Sequence, residues 1–134
     1  MSVYLDTSLA VHATLPDGNP LVRRWLDQVA TSDEVVSSTL LRLELTRVCR
    51  RDGLDPNRAS VVLDRVREVS INDSVLRDAG ALEPHVRSLD AIHLATCALL
   101  GPGVTLATHD RAMKQAARDI GLDVIDPLTK RAPE

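Results

Sequence analysis

Val3-Tyr4-Leu5-Asp6-Thr7-Ser8 is a short apolar run stopped by an acid and two hydroxyl residues. A run of this kind fits a buried strand, and Asp, Thr and Ser are the residue types that open a following helix. Similar short runs recur at Val35 to Ser37, Val69 to Ile71, Val104 to Ala107 and Asp123 to Ile125, alternating with longer helical patterns. Parallel neighbours need a crossover connection, so this alternation predicts a parallel sheet. The expected fold class is α/β: a three-layer α/β/α sandwich around a central parallel sheet of four to five strands.

Between the runs, Pro16-Asp17-Gly18-Asn19-Pro20 is a dense turn signal, and Pro20 suits the first turn of a helix reaching about Ala30. Trp25 is expected to anchor that helix to the core. Asp52-Gly53 ends the next helix, and Asp55-Pro56 restarts one with Asp55 as its cap. Further helices are expected over Ser74 to Leu82, Ser88 to Leu100 and Asp110 to Asp119, with Gly101-Pro102-Gly103 closing the second of them. No repeat or interdomain linker interrupts the pattern, and Lys130 to Glu134 reads as a fraying tail. One domain over residues 1 to 134 is expected.

Composition narrows the function. The chain has no Phe, and Tyr4 and Trp25 are its only Tyr and Trp, so the core must be aliphatic. Base stacking on aromatic platforms is thereby disfavoured, and any nucleic acid must be held by charge. Cys49 and Cys97 lie far apart in helical patterns, which points to small buried side chains rather than to a disulfide or a zinc site. Without a long apolar stretch or a signal-type N-terminus, the chain is expected in the cytoplasm with no membrane partner. The net charge of −3 is unusual for a protein that handles polyanions, but a bound divalent cation would reverse the local field. Seven arginines between Arg42 and Arg67 form either a phosphate-contacting or a solvated face.

Four acids stand where carboxylates are awkward. Asp6 ends a strand and Asp110 follows another in Leu106-Ala107-Thr108-His109-Asp110; either also suits a helix cap. Asp90 opens Ser88-Leu89-Asp90-Ala91-Ile92-His93-Leu94-Ala95, a helix apolar around most of its circumference, where the helix dipole favours an acid. Glu44 shares a helical face with Leu40, Leu41 and Val48 and therefore needs a cation or an Arg partner, for which Arg47 and Arg51 are candidates. His93 is positioned to bond Asp90 or a neighbouring backbone group. All four acids can point to the carboxyl edge of the sheet, where open α/β sheets bind ligands. Four carboxylates brought together there cannot all stay ionised without positive charge, and oxygen-only donors suit Mg2+, with Mn2+ able to substitute.

In their order along the chain, Tyr4-Leu5-Asp6-Thr7-Ser8, Glu44 on a helix, Ser88 to Ala95 and Thr108-His109-Asp110 resemble the motifs of PIN-domain ribonucleases, specifically the VapC toxins of bacterial VapBC toxin-antitoxin pairs. The resemblance covers nearly the whole chain. It implies a Mg2+-dependent endoribonuclease in which Asp6, Glu44, Asp90 and Asp110 form the metal-binding and catalytic set. Asp6 and Asp90 are the first choices for direct ligands, Thr7, Ser8 and Thr108 are supporting hydroxyls, and Arg42 and Arg47 are candidates for gripping RNA. A cognate VapB-type antitoxin, a homodimer and larger toxin-antitoxin complexes are implied as partners, with the apolar helices near Glu44 and residues 56 to 68 as surfaces. The alternative is a catalytically inactive PIN-like module that binds RNA or protein.

Overall fold

A computed structural model of the chain describes residues 1–129; the expected frayed tail lies outside the described residues. Five parallel strands, β1 (Ser2–Leu5), β2 (Glu34–Ser38), β3 (Arg67–Val69), β4 (Val104–Ala107) and β5 (Asp123–Ile125), stand in the order β3-β2-β1-β4-β5. The chain builds outward from β1 to β3, then crosses back to lay β4 on the other side of β1. Strand order therefore reverses between β1 and β4, and in open α/β sheets the crevice at such a reversal is where ligands bind. Asp6 and Thr108 immediately follow those two strands.

Alternation along the strands divides the core. Val3, Leu5, Val35 and Ala107 face a cluster with Leu9, Val22, Leu26, Leu41, Leu45 and Val62. These come from α1 (Thr7–Thr14), α2 (Pro20–Ser32), α3 (Thr39–Arg51) and α4 (Ser60–Leu63). Tyr4, Val36 and Leu106 face the opposite cluster with Leu94, Cys97, Met113 and Ala117, from α6 (Ser88–Leu99) and α7 (Arg111–Asp119). Helices thus cover both faces, and a sheet buried on both sides reads as continuous apolar runs. Trp25 packs half-buried against the first cluster, as expected. Cys49 and Cys97 are free and buried, and burial pushes the Cys97 thiol up to about 12. Among the described residues, no helix is long and apolar enough to cross a membrane.

Two expectations need correction. The third strand is Arg67–Val69, two residues earlier than the β-branched run at 69 to 71 suggested. It is an edge strand, paired only with β2, and its charges form ion pairs: exposed Arg67 with Glu34, and half-buried Glu68 with Arg42. Edge positions tolerate charge that a central strand would reject. The helix restarted at Asp55 is also shorter than expected. Asp55 does cap it, accepting the Asn57 N–H at 2.9 Å, but the segment is a 3-10 turn at Pro56–Ala59 followed by α4, one turn long. Elsewhere Asn72 caps α5 (Asp73–Gly80) by accepting the Val75 N–H.

Candidate active site

Asp6 occupies the N-cap position of α1, yet its side chain makes no capping bond. Its Oδ2 instead accepts from Ser8 Oγ at 2.7 Å and from Thr108 Oγ1 at 2.8 Å, with the carboxylate only 3% exposed. Two hydroxyls, one from each side of the strand reversal, therefore hold a buried carboxylate in one orientation. The backbone after β4 is tied into the same cluster, because the His109 N–H donates to Ser8 Oγ and the Asp110 N–H to Thr108 Oγ1. Asp110 is an ordinary cap as well: its Oδ1 accepts the Met113 N–H at 2.9 Å, which fixes the side chain at the start of α7.

Asp90 lies in the first turn of α6, partly buried, and its nearest cation is Arg87 at 3.6 Å. Its carboxyl is held above the usual range, first by burial and then by the negative charge of Asp6; Arg87 opposes this, Asp110 adds a smaller push in the same direction as Asp6, and His93 opposes least. Three of the four singled-out acids therefore share one electrostatic field at the strand reversal, and Asp90 bears the cost. Buried carboxylates that repel one another are an arrangement that a cation relieves.

Glu44 has other company. Its Oε1 accepts from Thr7 Oγ1 at 2.7 Å and lies 2.6 Å from His93 Nε2. The expected partners, Arg47 and Arg51, are not used: Arg51 pairs with Asp52, and Arg47 lines a cleft with Leu43, Val48 and Leu89. His93 does not bond Asp90 either. The register of α6 turns its ring inward, where it is fully buried and its Nδ1 meets Tyr4 Oη at 2.7 Å. Burial pushes the Tyr4 phenol up, so it stays protonated, and it accepts the Ser38 N–H at 3.2 Å. With the phenol donating to Nδ1, Nε2 is the ring's donor, directed at Glu44. The resulting chain runs from Ser38 through Tyr4 and His93 to Glu44 and joins the two helical layers across the edge of the sheet.

Tyr4 and Ser38 were missed as members of the site. The signal was present in the buried phenol and imidazole of an otherwise aliphatic core, since both groups require partners. Arg42, a candidate for gripping RNA, is held by both carboxylate oxygens of Glu68 at 2.9 and 2.8 Å. Among the described residues, no three His, Cys, Asp or Glu side chains stand close enough to clasp a metal by themselves. The donor set is nonetheless all oxygen and net negative, which fits a hard divalent ion that keeps several of its waters.

The PIN domain family model matches residues 3–119. Ribonuclease VapC46 of Mycobacterium tuberculosis is 38% identical over 134 residues, covering 94% of this chain and 98% of that protein. Ribonuclease VapC35 of the same species is 35% identical, covering 93% and 96%. Among solved structures, a toxin-antitoxin complex from Klebsiella pneumoniae matches with a TM-score of 0.71 at 20% identity, covering 93% of this chain and 97% of that one. VapBC2 from Rickettsia felis, bound to a DNA fragment from its promoter, matches with a TM-score of 0.70 at 16% identity, covering 94% and 98%. At such identities the structures speak for the fold alone.

Proposed function

The chain belongs to the PIN-domain family, on its VapC ribonuclease branch, and from that premise we propose that it is an endoribonuclease toxin that hydrolyses RNA phosphodiester bonds with Mg2+. The observation that carries this reading is the gathering of Asp6, Asp90 and Asp110 at the strand reversal, where burial first and the charge of Asp6 next penalise ionised Asp90. Asp6 and Asp90 would hold the ion, and Mn2+ would substitute. When bound, the ion lowers the pKa of an attacking water and neutralises charge on the leaving oxygen.

The chain's own residues set the geometry for that chemistry. Ser8 and Thr108 fix Asp6, so its carboxylate needs no reorganisation on binding. Asp110 is locked by its capping bond, and its charge adds to the pull on a cation. Glu44, oriented by Thr7 and His93, would position the nucleophilic water or bind a second ion through water. RNA cleavage separates the parts: total cellular RNA should be degraded with Mg2+ or Mn2+ and spared with chelator, while Asp6→Asn and Asp90→Asn stay folded and inert. Intact RNA with the wild type and Mg2+, or equal cutting by both variants, overturns the reading.

A free nuclease toxin needs restraint, and the structural relatives are toxin-antitoxin complexes. A cognate VapB-type antitoxin therefore belongs to the proposal, with homodimers and toxin-antitoxin hetero-oligomers as the assembled forms. Leu43 and Leu89, 56% and 48% exposed, border a cleft of about 420 Å3 whose lining includes Thr7 and Glu44. An apolar antitoxin segment seated there would cover the Glu44 side of the site. Expression should arrest growth, and co-expression of the antitoxin should relieve it.

One observation favours a second reading, an inactive PIN-like module that binds RNA or protein. The carboxylates are not drawn into a closed metal cage among the described residues. Such a module would show no Mg2+ dependence in any assay.

A further inference from the structure

A second concave site lies beside the carboxylate edge, between the end of α1 and the outward face of α2. It is a groove of about 230 Å3 whose lining includes His12, Gly18, Arg23, Arg24 and Asp27. Its wall is built rather than incidental. A Cβ at Gly18 would sit 1.9 Å from the His12 carbonyl oxygen, so the loop packs directly on α1 and only glycine fits there. The Asn19 N–H donates to His12 Nδ1 at 3.1 Å, so Nδ1 accepts and Nε2 is the ring's donor. Arg23 is anchored by its Nη2 bond to the Ala13 carbonyl at 2.8 Å.

The charge balance of the groove is positive. Arg23 and Arg24 contribute two fixed cations, and Asp27, the acid among its lining residues, is engaged by Arg65 at 2.9 Å. Contacts through His12 link the groove to the candidate active site. The His12 and His109 rings meet edge to face with centroids 6.1 Å apart. The His109 N–H reaches Ser8 Oγ, and Ser8 reaches Asp6. A strand whose scissile phosphate lies at a cation held by the carboxylates would extend past His109 and His12 toward the two arginines. With so few aromatic side chains, the chain must grip RNA through its phosphates, and Arg suits phosphate through its forked donors.

We propose that this groove is a phosphate subsite for the RNA strand flanking the bond to be cut, with Arg23 and Arg24 as binding residues and His12 as a further donor. It rests on the ribonuclease reading and gives that reading a direction along the strand. The test uses the full chain and a fluorescent mixed-sequence single-stranded oligoribonucleotide, with affinity measured across a salt series and cleavage of total RNA followed in parallel. Arg24→Gln should bind several-fold more weakly, with a salt dependence shallower by about 0.7 in the log-log slope. Arg24→Lys should retain that slope. Both variants should melt like the wild type. If Arg24→Gln keeps wild-type affinity and slope while the wild type cuts RNA, the subsite is wrong and the ribonuclease reading stands. If the wild type neither binds nor cuts RNA, both are wrong.

Discussion

Glu44 and Asp90 belong to the same candidate site, yet the rest of the molecule treats them in opposite ways. Glu44 is met by Thr7 at 2.7 Å and His93 at 2.6 Å, and behind His93 stands Tyr4, itself anchored on the Ser38 N–H. Asp90 has Arg87 at 3.6 Å and the charges of Asp6 and Asp110 beside it. One carboxylate is well satisfied by the protein and the other is not. The contrast divides the site: the Glu44 side is preorganised by the fold, whereas on the Asp90 side burial and like charge are only weakly offset, which is where the proposed cation would act. Sites commonly accept such local cost where function requires it.

The largest effect that would sharpen this division is on chemistry. Asp6→Asn and Asp90→Asn should each lower RNA cleavage at least about a hundredfold, since disturbing even the outer partners of a metal ligand costs tenfold or more. Cleavage within a few-fold of wild type in both variants would break the comparison. Next in size are effects on the satisfied side. His93→Ala empties a fully buried position and strips partners from Tyr4 and Glu44, so chemical unfolding should show a loss of about 3 kcal/mol. Tyr4→Phe should cost about 1 to 2 kcal/mol through the unpaired Ser38 N–H and His93 Nδ1. A wild-type midpoint for either variant would mean that the chain does not brace the edge.

Thr108→Val removes the donor to Asp6 and the acceptor for the Asp110 N–H, so it should cost about 1 kcal/mol and reduce activity by weakening the hold on Asp6. The smallest effect carries the opposite sign. Because Asp90 titrates higher in the folded chain than its ordinary 3.8, its favourable contribution is fully present below that value and is lost as pH rises through the raised one. Above it, ionised Asp90 opposes folding. Asp90→Asn should therefore be more stable than the metal-free wild type at neutral pH, by about 1 kcal/mol or less, and the gain should vanish near about pH 3. Thermal melts across pH read this directly.

Much of this was legible in the residues. The alternation of β-branched runs with helical patterns was enough for the parallel sheet, and strand-end Asp6 and Asp110 pointed to its carboxyl edge. The edge strand was harder to place, since Arg67 and Glu68 owe their tolerance to ion pairs with Glu34 and Arg42. No local pattern displays partners separated by tens of residues. Glu44 was identified as a carboxylate that needed a partner, but the sequence neighbours Arg47 and Arg51 were the wrong candidates. The partner is His93, 49 positions away on the opposite helical layer. Asp6 shows the converse: its position suggests a cap, and only the tertiary approach of Thr108 reveals that the carboxylate is used otherwise.

The central claim is that Asp90 waits for a divalent cation, and a single measurement addresses it without any RNA. Thermal midpoints of the wild type and Asp90→Asn are followed as Mg2+ is raised from none, in the presence of a fixed monovalent salt background. A ligand that binds only the folded state raises its midpoint with concentration. The account predicts that the variant starts above the wild type and stays flat, while the wild type climbs to meet or pass it. A flat wild type, or two curves that rise in parallel, would contradict it.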